Sequence, residues 1–131
     1  MIALCSGGFS ILHIGHLDYF KQAAQYGNVV VALNSDAWLK RKYGLIVVPW
    51  EERRVILMAL KVISDVVPVD DADDTVCEAI KRIRPNFFVN GGDRVKSNPQ
   101  EHLSCLESGT KEIFVRTVPV HSSELIRKLR L

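Results

Sequence analysis

The segment from Gly7 to His16, Gly-Gly-Phe-Ser-Ile-Leu-His-Ile-Gly-His, most narrows what this chain can become. Ahead of it, Ile2 to Cys5 form an apolar run of buried-strand length. Behind it, Leu17, Phe20, Ala23 and Ala24 fall on one face of a helix that Gly27 is expected to stop. A strand, a glycine turn and a helix start, in that order, place free backbone N–H groups and the positive end of a helix dipole beside a loop that a ligand can approach closely. An anion the size of phosphate suits such a turn.

His13 and His16, spaced i, i+3 at the helix entrance, can present both rings to one point. Imidazole N–H groups there would stabilise the added negative charge of a phosphoryl-transfer transition state. Metal binding is the competing use of such a pair. The other histidines, His102 and His121, and the cysteines, Cys5, Cys77 and Cys105, lack the close ligand spacing of a zinc site, so no protein-held metal is expected.

Further along, Val29 to Leu33 is a continuous apolar run rich in β-branched residues, the pattern of a parallel strand buried on both faces. Asn34-Ser35-Asp36 can cap a short helix carrying Ala37, Trp38 and Leu39. Pro49 suits the first position of a third helix, with Glu51 and Glu52 in its first turn. That helix is apolar nearly all round from Val55 to Leu60, which predicts cover on more than its sheet side. Val66 to Val69 reads as a third strand, and Thr75-Val76-Cys77-Glu78 as a capping box opening a helix toward Ile83 that Arg84-Pro85 closes. Between these two, Asp70-Asp71-Ala72-Asp73-Asp74 reads as a solvated loop and helix entrance. Phe87 to Val89 and Ile113 to Val115 give two more strands, and Ser122 or Ser123 starts a terminal helix. The alternation predicts an α/β fold: a doubly wound, Rossmann-like five-stranded parallel sheet with helices on both faces and a ligand crevice at the carboxyl ends of the strands. Both the glycine turn and Gly91-Gly92-Asp93 fall at such ends.

With 131 residues the chain is expected to form one domain, 1–131. A hydrophobic share of 47% against 24% charged residues is that of a globular protein, and no run reaches membrane-spanning length, so no membrane partner is expected. The formal charge is +2, and the only basic runs are Lys40-Arg41-Lys42 and Arg127-Lys128-Leu129-Arg130. That balance fits small anionic ligands and not a nucleic acid. Three widely spaced cysteines argue for core filler in a reducing compartment, and no leader pattern precedes the first strand. A cytoplasmic location is the expectation.

The run Gly8-Phe9-Ser10-Ile11-Leu12-His13-Ile14-Gly15-His16 resembles the G-F-D-x-L-H-x-G-H motif of the cytidylyltransferase-like nucleotidyltransferases. The resemblance extends over essentially the whole chain, through Asn34-Ser35-Asp36, Lys40-Arg41, Pro49-Trp50-Glu51-Glu52-Arg53, Gly91-Gly92-Asp93 and Ser122-Ser123-Glu124-Leu125-Ile126. Heptose-1-phosphate adenylyltransferase domains and glycerol-3-phosphate cytidylyltransferases are the members it is most similar to. The resemblance implies transfer of CMP or AMP from CTP or ATP to a phosphorylated sugar or polyol, with release of pyrophosphate. It also implies Mg2+ bound with the nucleoside triphosphate, and a homodimer.

It further implies roles residue by residue. His13 and His16 fall to the α-phosphate and Lys40 to the phosphates, while Gly8, Phe9, Gly15, Gly91, Gly92, Asp93, Ser122 and Ser123 fall to nucleotide or phosphate binding. Arg53 and Arg94 are further candidates, although Arg53 also reads as a surface residue paired i, i+4 with Leu57. The chain departs from the motif at Ser10, where the family has Asp, and at Tyr43, which replaces a second lysine. It departs again in the shortened Leu45-Ile46-Val47-Val48 segment and at Glu124. A lost cation and an added carboxylate would both weaken triphosphate binding if they faced the crevice. Two questions stay open on sequence: CTP or ATP as donor, and whether a nucleotide-binding module has kept the fold without catalysis.

Overall fold

Residues 1–92 and 96–117 are described by a computed structural model. Asp93, Arg94, Ser122, Ser123 and Glu124, with the expected terminal helix, lie outside the described residues. Five short strands carry the apolar runs: β1 (Ile2–Gly7), β2 (Asn28–Leu33), β3 (Ile63–Pro68), β4 (Phe87–Asn90) and β5 (Lys111–Phe114). They pair in parallel in the order β3-β2-β1-β4-β5. Between them run α1 (Ile14–Ala24), α2 (Asp36–Tyr43), α3 (Trp50–Met58), α4 (Cys77–Ile83) and α5 (Pro99–Ser108).

Because side chains alternate across a strand, the apolar runs feed two cores. On one face Ala3, Cys5, Val29, Val31 and Leu33 pack with Tyr19, Phe20 and Ala23 of α1 and Leu57 of α3. On the other, Leu4, Val30, Ala32 and Phe88 pack with Ala79 and Ile80 of α4 and Cys105 of α5. The sheet is therefore doubly wound, as expected. Chain order reverses between β1 and β4, and a crevice opens beyond their carboxyl ends at Gly7 and Asn90.

Several local expectations are corrected. Helix α1 buries Gly15, Tyr19, Phe20 and Ala23, whereas Leu17 and Ala24 are exposed, so the buried stripe is rotated from the expected one. The helix ends on Gln25 in a right-handed conformation, and Gly27 does not cap it. Gly27 instead lies against the start of β1, where a Cβ would meet the Met1 carbonyl oxygen at 2.7 Å. Pro49 is the N-cap of α3, one residue ahead of the position expected. That helix is not covered all round by this chain: Val55, Ile56 and Met58 are exposed, with Arg53 and Leu57 its buried residues. The capping box at α4 does not form, because Glu78 accepts from the Asp70 N–H and Val76 occupies the cap. Helix α5 had no place in the sequence reading. Its signal was Asn98-Pro99, a capping side chain that accepts from Gln100 and Glu101 N–H ahead of a proline in the first turn.

The three cysteines are free and buried, and burial pushes Cys5 up to about 12, which suits packing and not reactivity. No helix among the described residues is long and apolar enough to cross a membrane.

Candidate active site

His13 is the N-cap of α1, held at φ −144° and ψ 176°. Its Nδ1 accepts from the Gly15 N–H at 3.1 Å, and the His16 Nδ1 accepts in return from the His13 N–H at 3.3 Å. This is a capping box built from two imidazoles in place of a hydroxyl and a carboxylate. It explains the i, i+3 spacing, and it fixes the tautomer. A ring nitrogen that accepts carries no proton, so each ring's N–H is on Nε2. The rings stack with centroids 3.7 Å apart and planes 20° from parallel, and Phe9 meets His16 edge-on at 5.0 Å.

Burial, and behind it the neighbouring His13, push the His16 imidazole down to about 4. Two imidazolium cations cannot be stacked so closely at modest cost. His16 is therefore a neutral hydrogen-bond donor near pH 7. The His13 Nε2 is shielded from solvent, the setting in which such a donor is worth most.

Both rings line an open cleft of about 350 Å3 over the ends of β1 and β4. Gly8, Phe9, Gly15, Gly91 and Gly92 line it too, so the described glycines of both expected segments meet at one place. Tyr19 joins the two strand ends: its hydroxyl donates to the Val89 carbonyl at 2.5 Å and accepts from the Ser6 N–H at 3.2 Å. Its ring also dictates Gly91, where a Cβ would stand 2.6 Å from Tyr19 Cδ1. Ser10, in place of the family's Asp, is buried on the cleft wall.

Lys40 does not reach the cleft. It is exposed on α2, and the lysine on the wall is Lys42, beside Tyr43 and Trp38. One helical turn separates positions four apart, so lysines two apart face different sides.

Arg53 is not a surface residue, and it does not line the cleft. It is 1% exposed, and it donates from Nε to Val48 O at 2.9 Å, from Nη1 to Gly8 O at 2.7 Å and Asn34 O at 2.9 Å, and from Nη2 to Asp36 Oδ1 at 2.8 Å. It ties the glycine turn to the end of β2 and the start of α2. The acidic run is likewise not all solvated. Asp71 is 4% exposed and accepts from Asn34 Nδ2, the Ser35 N–H and Ser35 Oγ, locking the loop after β3 onto the entrance of α2.

Sequence reading did not single out Tyr19, Trp38, Asp74, Asn90 or Glu101, all on the cleft wall. Asn90 carried a faint signal, since a polar residue at the carboxyl end of an apolar strand sits at the crevice in such folds. Asn90 is braced by Glu112, which also accepts from Ser97 and His102. Burial works to raise the Glu112 pKa, but those three hydrogen bonds hold it below its ordinary value. Among the described residues no three His, Cys, Asp or Glu side chains are grouped to hold a metal.

A family model described as cytidylyltransferase-like matches residues 4–128. The chain is 32% identical over 133 residues to Bifunctional protein HldE of Halorhodospira halophila, covering 98% of this chain and 28% of that one. It is 41% identical over 95 residues to Bifunctional protein HldE of Sulfurimonas denitrificans, covering 70% and 20%. It thus spans less than a third of the length of these curated relatives. Among solved structures, the lipopolysaccharide core biosynthesis protein from Thermoplasma volcanium superimposes with a TM-score of 0.73 at 22% identity, over 92% of this chain and 98% of that one. Pantothenate synthetase from Thermus thermophilus does so at 0.61 and 14% identity, over 95% and 60%. At those identities the likeness is one of fold.

Proposed function

The chain belongs to the cytidylyltransferase-like family, and on that footing we propose that it transfers CMP or AMP from CTP or ATP to a phosphorylated sugar or polyol. A phosphate oxygen of the acceptor attacks the α-phosphorus in line. The bond to the β-phosphate oxygen breaks, and pyrophosphate leaves with that electron pair. Such a transfer asks the protein mainly to position its reactants and to neutralise charge on the equatorial oxygens.

The observation that carries this reading is the reciprocal pair His13 and His16. The cap geometry puts both ring protons on Nε2, and both rings face the cleft. The pair supplies N–H donors to the α-phosphate without a proton-transfer step, and backbone N–H groups at the start of α1 add to them. Gly91 and Gly92 support placing the nucleoside against the end of β4. Asp93, Arg94, Ser122 and Ser123 keep their proposed roles from the resemblance alone.

Magnesium would enter with the triphosphate. The residues present fit an ion held chiefly by substrate oxygens and water, since this ion needs few protein ligands. When bound, it would offset the negative charge of the phosphates. The exposed Val55, Ile56 and Met58 on α3 support the proposal of a homodimer through that helix.

His16→Ala should lower turnover by about 10² to 10³-fold at little cost in nucleotide affinity. Pyrophosphate release with ATP or CTP, Mg2+ and a panel of sugar and polyol phosphates is the measurement, with circular dichroism to confirm folding. A folded variant at wild-type turnover would overturn the assignment. Triphosphate binding by the wild type without pyrophosphate release from any acceptor would favour the non-catalytic module.

A further inference from the structure

The cleft wall at the end of β4 is held from both faces of the sheet. From one face the Tyr19 hydroxyl donates to the Val89 carbonyl. From the other comes Glu112, the second residue of β5 and the register partner of Phe88. Side chains alternate along a strand, so Phe88 and Asn90 share the face that α4 and α5 cover, and Glu112 lies beside Phe88 on it. A carboxylate is an uncommon choice there. The Glu112 side chain is 8% exposed, and packing alone would be served by a β-branched residue. What the carboxylate adds is acceptors. Its Oε2 accepts from Asn90 Nδ2 at 2.8 Å, while its Oε1 accepts from Ser97 Oγ at 2.8 Å and meets His102 Nδ1 at 3.0 Å. The three partners belong to three pieces of chain: the end of β4, the stretch ahead of α5, and α5 itself. The Asn90 main chain is pinned to the same strand, its carbonyl accepting from the Val115 N–H at 2.9 Å.

We propose that Glu112 is a positioning residue for the nucleoside end of the donor, setting the wall of Asn90, Gly91 and Gly92 before the nucleotide arrives; the inference rests on the nucleotide-binding reading above. Glu112 does not itself line the cleft, so it acts through Asn90, which does. The order of the chain makes the device effective. Asn90 precedes the Gly91-Gly92 turn and Ser97 follows it, so one carboxylate ties the chain on both sides of that turn. Gly92, at φ 67°, suits the turn but has no side chain to steady it, and Glu112 supplies the restraint from outside. A carboxylate only accepts, which also sets the flip of the Asn90 amide, with its nitrogen toward Glu112. A wall fixed in advance spares the ligand the cost of ordering it, and that saving is read in affinity. The chemical step belongs to the histidine pair at the end of β1 and does not draw on it. An amide of the same shape in place of the carboxylate keeps the packing but turns one of the two acceptor oxygens into a donor.

Calorimetric titration of the full chain with CTP, ATP and tripolyphosphate, each with Mg2+, tests the assignment. Glu112→Gln should raise the Kd of whichever nucleotide the wild type binds about tenfold, the loss of one hydrogen bond to a charged group. Tripolyphosphate carries no nucleoside, and its Kd should stay within about twofold. Thr110→Val is the stability control. It removes the buried bond from Thr110 Oγ1 to the Pro85 carbonyl at the amino end of β5, opposite the cleft, and should lower the Tm without moving either Kd. Ser97→Ala should weaken nucleotide binding in the wild type, yet change it by less than about twofold once Glu112→Gln is present, because the two act through one carboxylate. Ser97→Ala carries the test if Glu112→Gln does not fold. The proposal is overturned if Glu112→Gln binds the nucleotide as the wild type does, if tripolyphosphate weakens equally, or if Thr110→Val weakens the nucleotide as much. A wild type that binds neither CTP nor ATP sinks the nucleotide reading and the positioning role with it. Nucleotide binding that responds to Glu112→Gln without pyrophosphate release from any acceptor keeps the positioning role and sinks the enzymatic reading.

Discussion

At the scale of single residues, the cleft is defined by side chains whose neighbours leave them little choice. Gly91 is dictated by Tyr19, whose hydroxyl is fixed at both strand ends, so the ring cannot step aside. Gly91→Ala should therefore cost about 1–3 kcal/mol by overpacking. Urea unfolding followed by circular dichroism checks this, and an unchanged midpoint would mean the ring moves freely. Sequence showed which residue types belonged to the site but not always which copy. Lys40 and Lys42 are alike on paper, and only the phase of α2 decides that Lys42 meets the cleft. Arg53 is harder still. Its three main-chain partners are carbonyls from Gly8, Asn34 and Val48, and backbone oxygens leave no mark in sequence.

At the scale of elements, most of the architecture was legible. Strands buried on both faces announce themselves as unbroken apolar runs, and β1, β2 and β4 lie where those runs fall. What escaped were features set by tertiary partners. The mixed pattern of α5 hid the helix even though its cap was written plainly. The apolar α3 exposes in this chain what its composition said should be covered. Helix α3 nonetheless has a clear role here, since through Arg53 it buttresses the glycine turn at the wall of the cleft. Arg53→Met should leave buried carbonyls unmatched and lower stability by about 2–4 kcal/mol, partly offset by the apolar side chain that replaces it. Thermal unfolding would measure that loss. A Tm within a degree of wild type would show that the clamp is dispensable.

At the scale of the whole molecule, the neutral histidine stack makes folding sensitive to acid. In the unfolded chain His16 titrates near 6.5, and in the fold near 4, so the unfolded state binds more protons between these values. The contribution is fully present above about pH 6.5 and is lost as the pH falls through about 4. Unfolding midpoints between pH 7 and 4 should fall more steeply for the wild type than for His16→Gln, and parallel curves would contradict the shift. The same stack has a consequence for ionic strength. Dissolved salt screens charges and leaves dipoles nearly untouched, so grip supplied by uncharged imidazoles persists in concentrated electrolyte while grip supplied by an exposed ammonium fades. On the proposed function, the centre of the cleft would thus hold its phosphate with less dependence on ionic strength than the exposed Lys42 at its rim.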